Sequence, residues 1–196
     1  MFVAKQLKES NICEYLLYMW QVEDTIRAFD CDIDRIREAY IPGFHLSEAQ
    51  RKAEETWFED LIRMMLEEGK REGGHLQINC GTLSLLIDLH LQLLRSPKHP
   101  FYSAAYYKAL PFIVELRARN RNHCAVTTDD GWRETDAVEE AGELETCLNC
   151  LYGVMLLRLQ KKEVTGETQK AVTAISHLLA LLSEAAGKEK AGELEL

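Results

Sequence analysis

Three polar side chains lie on helical faces that are otherwise apolar, where each could act as a general base or a metal ligand. At about 100° per residue, Glu23 falls between Leu16 and Met19 on the apolar stripe of its segment. His90 and Glu145 occupy the same kind of position in two later segments. Three separate helices are therefore predicted to turn a polar group inward.

An unpaired buried carboxylate would cost several kcal/mol, so inward polar groups normally meet each other. This favours a network of Glu23, His90 and Glu145, which would be either a catalytic or metal site or a structural network that sets helix register. The sequence favours the structural role, because structural ion pairs are common at such positions. We also expect Glu23→Leu to cost less stability than Glu23→Gln, because an apolar replacement removes a charge that needs partners.

A second candidate site is the pair Cys147 and Cys150, whose spacing brings both sulfur atoms to one side of a helix. A zinc site normally needs a second ligand pair, and redox pairs lie at helix N-termini, whereas this pair lies within its helix. Structural thiols are the favoured interpretation, and no cofactor is predicted. A di-iron site would need Glu-x-x-His on two helices. That spacing occurs only from Glu72 to His75, across two glycines that indicate a loop.

Two adjacent segments of opposite charge suggest a binding surface. Residues 95–123 contain six Lys or Arg and one Glu, and residues 129–145 contain eight Asp or Glu and one Arg. Arginines near tyrosines could bind nucleic acid, and Arg117, Arg119 and Arg121 are the candidate residues. Complementary segments more simply attract each other within the chain or across a dimer, so nucleic-acid binding is disfavoured. A net charge of −9 also disfavours binding a polyanion with the whole surface.

The segment from Asn120 to Glu134 is too long for an ordinary connection between helices, where roughly two to eight residues are usual. Asp129 and Asp130 precede Gly131 as in a tight turn, and Trp132 follows them. The segment could form a short hairpin, and Trp132, Asp129 and Asp130 could form a binding loop. The alternative is a surface turn whose Trp132 packs onto the helices.

The elements that must position these residues are helices. Apolar residues recur at helical spacing in nearly every segment, and strand patterns are almost absent. A first helix is predicted over 8–29, and its apolar stripe continues to Tyr40. Further helices are predicted from Ser47, over 77–95, from Pro100 with a kink or interruption at Pro111, from Thr135 to Lys162, and from Thr165. The helix over 77–95 is so widely apolar that we expect it near the centre of the fold.

The 196 residues and 46% hydrophobic content suit one globular domain. We therefore predict an all-α fold, a single bundle of about six or seven helices over 1–187, with a polar C-terminal tail over 188–196. We recognise no signal peptide and no membrane-spanning segment, which favours a cytoplasmic protein with no membrane partner and with its six cysteines reduced.

The segments "VAKQLKESNICEYLLYMWQVEDTIRAF" and "INCGTLSLLIDLHLQLLR" together resemble an uncharacterised bacterial family that is classed only as a domain of unknown function. The resemblance covers nearly the whole chain. It implies a helical cytoplasmic protein of unassigned activity, and it assigns no functional residues.

The sequence is compatible with three functions, one of which is enzymatic. The first is a non-enzymatic interaction module or homodimer, favoured by the aromatic-rich helix from Pro100 and by the charge asymmetry. The second is a small-molecule or metal-binding enzyme that uses the inward polar residues. The third is a nucleic-acid binder using the basic residues between 95 and 121.

Overall fold

The fold is all-α, as predicted. A computed structural model describes the backbone of residues 1–124 and 142–196, and the side chains of residues 1–119 and 142–196. These ranges contain eight α-helices and no strand, against the six or seven helices expected. Their bounds are α1 Phe2–Ser10, α2 Ile12–Ala28, α3 Ile33–Ala39, α4 Glu48–Glu67, α5 Gln77–Arg95, α6 Pro100–Cys124, α7 Glu143–Leu159 and α8 Gly166–Ala191, with a 3-10 helix at Ile41–Phe44.

The predicted first helix is three helices, because two local features interrupt it. Asn11 has an extended backbone, and its side chain accepts the N–H of Glu14 at 3.2 Å, so α2 begins with its own cap. Asp30 and Cys31 both have positive φ, at 57° and 58°, which ends the helical path after α2. The side chain of Asp32 then accepts two backbone N–H groups and caps α3.

The predicted cap of α4 is confirmed. The Ser47 hydroxyl accepts the N–H of Gln50 at 3.4 Å, and the Gln50 side chain accepts the N–H of Ser47 at 3.0 Å. This reciprocal capping satisfies two backbone donors that the helix itself cannot pair. The helix ends before Gly69, whose φ of 65° is a conformation that glycine adopts without strain.

Helix α5 has the predicted bounds, but it is not buried on all sides. Leu86, Leu89 and Leu93 are buried, whereas Leu85 is 71% exposed and Ile78 is also exposed. The expectation that this helix lies centrally is therefore wrong. The width of the apolar arc sets how much of a helix surface other elements could cover. The helices that pack against it determine how much is actually covered.

Three other predicted boundaries change. Helix α6 runs without interruption through Pro111 to Cys124, so the first residues of the predicted 120–134 loop are helical. Helix α7 begins at Glu143 rather than at Thr135, and it ends before Lys162. The rest of the predicted loop or hairpin, and Thr135 itself, lie outside the described residues.

Helix α8 begins as predicted, because the Thr165 side chain accepts the N–H of Thr168. It extends to Ala191, into the segment that we expected to be a tail. Beyond it, Gly192 has a φ of 73° and ends the helix, and the backbone carbonyl of Glu195 accepts a hydrogen bond from His99 Nε2 at 2.8 Å.

Residue contacts divide the chain into two compact units, Met1–Leu85 and Leu86–Leu196, which are described separately below. The first has fully buried side chains on α2, α3 and α4, including Leu16, Ile36 and Phe58. In the second, α6 packs against α7 and α8, and α7 packs against α8. The single domain over 1–187 stays a prediction.

Candidate functional site

The first candidate site surrounds Glu23 in unit Met1–Leu85. Its side chain is completely buried, and its two carboxylate oxygens accept three hydrogen bonds. Oε2 accepts from His75 Nδ1 at 2.7 Å, and Oε1 accepts from the Leu76 N–H at 3.0 Å and from Asn79 Nδ2 at 2.6 Å. The charge of Glu23 is thus surrounded by donors, which is what allows a carboxylate to be buried.

The His75 ring is fixed on a second side by Trp20. The two rings are stacked, with centroids 4.3 Å apart and planes 17° apart. The His75 side chain is 30% exposed, although Nδ1 is held against the buried carboxylate. Because Nδ1 donates to Glu23, Nε2 on the other side of the ring is left with a lone pair that is able to accept a proton or a hydrogen bond.

Two further polar groups lie beside this pair. Asn79 is buried, and its Oδ1 atom has no hydrogen-bond partner within the described residues, since its amide nitrogen is turned toward Glu23. Tyr15 is also buried, and its pKa is raised, first by burial and then by the negative charge of Glu23. Burial beside Glu23 therefore favours the neutral phenol of Tyr15.

The loop between α4 and α5 carries His75 and is held at both ends. Arg27 on α2 donates from Nε to the carbonyl of Lys70 at 3.2 Å, and from its guanidinium to the carbonyl of Gly74. Glu68 accepts the N–H of Gln77 at 2.7 Å, at the start of α5. These contacts position the loop so that His75 reaches Glu23.

The structure gives Glu23 a different histidine from the one predicted. Its partner is His75, while His90 has its Nδ1 atom 2.5 Å from the hydroxyl of Tyr102 in the second unit. Glu145 is half-buried in the first turn of α7. The predicted network of Glu23, His90 and Glu145 is therefore wrong, although each member lies on its predicted helix.

His90 belongs to a second cluster, in unit Leu86–Leu196. Its ring lies near those of Tyr102 and Tyr106, with centroids 5.7 and 5.2 Å away. Tyr106 donates a hydrogen bond to Glu143 at 2.9 Å. Burial lowers the pKa of His90, and the charge of Glu143 opposes that shift. Burial, together with the bond to Glu143, raises the pKa of Tyr106 to about 12. The cluster therefore favours a neutral imidazole and a neutral phenol.

Sequence reasoning missed His75 because it lies in a loop, where helical periodicity says nothing about burial. The Glu72 to His75 spacing matches a metal motif, but the two intervening glycines exclude the helix that such a motif needs. Those glycines belong to the connection that brings His75 to α2, and Gly74 has a φ of 78°. A usable signal was present: Glu23 needed a partner, and a histidine next to glycines could reach it.

The two cysteines of the C-x-x-C pair differ in environment. Cys147 is fully buried, and Cys150 is half-buried with a pKa that burial raises. A raised pKa lowers the fraction of thiolate, which is the form that binds metal and attacks disulfides. Within the described side chains, no group of three or more His, Cys, Asp or Glu is arranged to hold a metal ion.

The predicted basic surface is only partly described. Arg119 pairs with Glu115 on the same helix, and Arg117 is half-buried. Lys98 lies 3.4 Å from the carboxylate of Glu195. The side chain of Arg121 lies outside the described residues. So do Asp129, Asp130 and Trp132, and their predicted binding role stays a prediction.

Helix α6 has two apolar faces. Tyr102, Ala105, Ala109 and Ile113 are buried against the rest of their unit. On the other side, the exposed residues include an apolar set that recurs at helical spacing. This set, which we call the outer face of α6, consists of Ala104, Tyr107, Pro111, Val114 and Ala118. Tyr107 is 66% exposed and Val114 is 57% exposed. An apolar stripe of this kind is typical of a helix that binds another helix.

Comparison with known proteins gives a family without an activity. No curated protein and no solved structure matches the chain. Within residues 1–124 and 142–196, no helix is both long enough and apolar enough to cross a membrane. One family model matches residues 1–129 and 130–193. The chain therefore belongs to the family described as Domain of unknown function (DUF4924).

Proposed function

We propose that the protein is a non-enzymatic interaction module that associates with a second copy of itself through the outer face of α6. The observation that carries the proposal is the exposure of Tyr107 and Val114 on the side of α6 opposite its buried residues. Burying large apolar side chains of this kind is the main favourable contribution to protein association.

The charges beside this face support self-association over an unrelated partner. Lys108 and Glu115 are exposed on one flank of the outer face, and Lys108 has no ion pair within the described side chains. A surface that carries both an unpaired cation and a carboxylate is able to complement itself.

The test is the mass of the protein in solution, measured by sedimentation equilibrium over a wide concentration range. We expect a dimer that Val114→Lys converts to a monomer, since the substitution places a charge within the apolar contact. Leu66→Lys on α4 is the matched control, because Leu66 is also an exposed apolar residue. A wild-type protein that is monomeric throughout, or a Val114→Lys protein that is as dimeric as the control, would refute the proposal.

The second candidate function is binding or transformation of a small molecule at His75, and the Glu23 to His75 hydrogen bond favours it. A carboxylate that accepts from Nδ1 fixes the tautomer and the orientation of an imidazole, which leaves Nε2 as the ring atom that is able to contact a small molecule. Diethyl pyrocarbonate, which acylates imidazole nitrogen, is the probe. An activated His75 should react at least as fast as His177, which is exposed on α8, and Glu23→Gln should slow only His75. A His75 that reacts far more slowly than His177 would remove this candidate.

A further inference from the structure

We infer that the second copy binds the outer face of α6 in an antiparallel orientation, with a two-fold axis that passes beside Pro111. This inference rests on the proposed function, because it names the orientation and the residue pairs of the same contact. It is carried by the positions of seven exposed α6 residues, whose pairs are centred within half a residue of Pro111.

The apolar residues of the outer face are arranged symmetrically along α6. Ala104 and Ala118 lie seven residues before and seven residues after Pro111. Tyr107 and Val114 lie four before it and three after it. In an antiparallel pair centred there, each Ala104 faces the Ala118 of the other copy, and each Tyr107 faces its Val114. The small alanines at both ends allow the helices to approach closely.

The charged residues have nearly the same centre of symmetry, within half a residue of Pro111. Lys108 and Glu115 lie three residues before and four residues after Pro111. Each Lys108 would therefore face the Glu115 of the other copy, which creates two equivalent ion pairs. Lys108 lacks an ion pair within the described side chains, and Glu115 already accepts from Arg119 with room for a second donor.

The angular positions of these residues around the helix axis separate an antiparallel pair from a parallel one. At about 100° per residue, the five apolar residues of the outer face fall within a single arc that is less than a quarter of the circumference wide. Lys108 and Glu115 lie together beyond one edge of this arc, and Tyr107 and Val114 lie together at its opposite edge. One edge of the outer face, the charged flank, therefore carries Lys108 and Glu115. The opposite edge, the Tyr107 flank, carries Tyr107 and Val114.

A two-fold axis perpendicular to antiparallel helices brings the same flank of both copies together. The charged flank then meets the charged flank, and the Tyr107 flank meets the Tyr107 flank. In a parallel pair, the two-fold axis runs along the helices and brings each flank against the opposite one. Lys108 would then face the Tyr107 flank and would lose access to Glu115. Only the antiparallel arrangement forms both kinds of contact.

Charge reversal tests the ion pairs. Lys108→Glu or Glu115→Lys alone would place like charges together at both symmetric contacts, so we expect each to weaken dimerisation about tenfold. The double variant restores opposite charges and should return to within about threefold of wild type. Lys52→Glu is a control for the change in net charge, because Lys52 is an exposed lysine on a different helix, α4. Effects of the two single variants that simply add in the double variant would overturn the inference.

Cross-linking tests the orientation. Ala104→Cys and Ala118→Cys proteins, prepared separately and mixed under mild oxidation, should form a disulfide between the two variants, because residue 104 faces residue 118. Each variant alone should not cross-link at the new thiol, since equal residues would be roughly 20 Å apart at about 1.5 Å per residue. The wild-type chain is a control for its native thiols.

The outcomes distinguish the two proposals. A dimer in which each variant cross-links to itself, and not to the other, would overturn the antiparallel orientation while leaving self-association through α6 intact. A chain that is monomeric at every concentration would refute the proposed function, and the orientation with it.

Discussion

At the scale of single residues, the most informative position is Glu23, because its burial is explained by three hydrogen bonds that no local pattern specifies. His75 and Asn79 come from the end of the α4–α5 loop and the first turn of α5, more than 50 residues along the chain. The backbone N–H of Leu76 completes the set. Two of the donors, the Leu76 N–H and the Asn79 amide, are themselves buried. Removing the Glu23 carboxylate would therefore leave both without this acceptor.

We now expect Glu23→Leu to be more damaging than Glu23→Gln, which reverses the order predicted from the sequence. Gln retains an oxygen for the Leu76 N–H and the Asn79 amide, whereas Leu leaves both buried donors without an acceptor. The expected costs are about 1 to 2 kcal/mol for Gln and about 3 to 5 kcal/mol for Leu. Urea denaturation of both variants measures the difference. A Leu variant as stable as the Gln variant would contradict the observed role of Glu23 as an acceptor.

His90 should make the protein less stable in mild acid. Its folded-state pKa is lowered by burial, so the unfolded chain takes up a proton at His90 first as the pH falls. The contribution of His90 to the free energy of unfolding is fully present above its unfolded-state pKa of about 6.5. This contribution declines as the pH falls from about 6.5 toward the lower folded-state pKa. Denaturation between neutral pH and pH of about 5 should show a shallower pH dependence for His90→Gln. His177→Gln is the exposed control, and an equal effect from that variant would argue against the assignment.

At the scale of elements, capping residues decide where the N-terminal helices begin and end. Asn11 separates α1 from α2, and Asp32 begins α3 after two residues of positive φ. The same physical rule predicts the caps Ser47 and Thr165 from the sequence, because each is a hydroxyl residue just before a helical apolar pattern. The segment Asn11 to Glu14 has a comparable pattern, but the continuous apolar stripe around it concealed the boundary.

The cap at Asn11 predicts a measurable loss of stability on truncation. Asn11→Ala should cost about 1 kcal/mol, because the N–H of Glu14 loses its acceptor at the start of α2. Ser10→Ala is the neighbouring control, since Ser10 is exposed and its hydroxyl bonds only to a carbonyl within α1. Thermal denaturation of the two variants makes the comparison. Equal midpoints would indicate that α1 and α2 do not depend on the Asn11 cap.

At the scale of the whole molecule, the proposed dimer links stability to protein concentration. A dimer that dissociates on unfolding gains stability by mass action, by about 1.4 kcal/mol of dimer for each tenfold rise in concentration. For chains of this size, that corresponds to a rise in melting temperature of roughly 1 to 3 °C. Val114→Lys should melt at a temperature independent of concentration, as should any monomer. Scanning calorimetry at two concentrations is the measurement.

The sequence alone determined the fold class and most helix positions, because helical periodicity and capping are local properties. Helix α5 was predicted within its observed bounds, and the starts of α4, α6 and α8 follow from Ser47, Pro100 and Thr165. The inward position of Glu23 also followed from local spacing. Each of these features depends on residues within a few positions of one another.

The tertiary structure alone decided which polar groups meet and which apolar faces are left exposed. His75 reaches Glu23 because the α4–α5 loop is held by Arg27, and no periodicity in the chain encodes that path. The two apolar faces of α6 are nearly equivalent in sequence, yet α7 and α8 cover only the one that contains Ile113. Which side chains pair depends on contacts between segments that are distant in the sequence. The hydrogen bonds and apolar contacts that favour one pairing over another form only when those segments pack together.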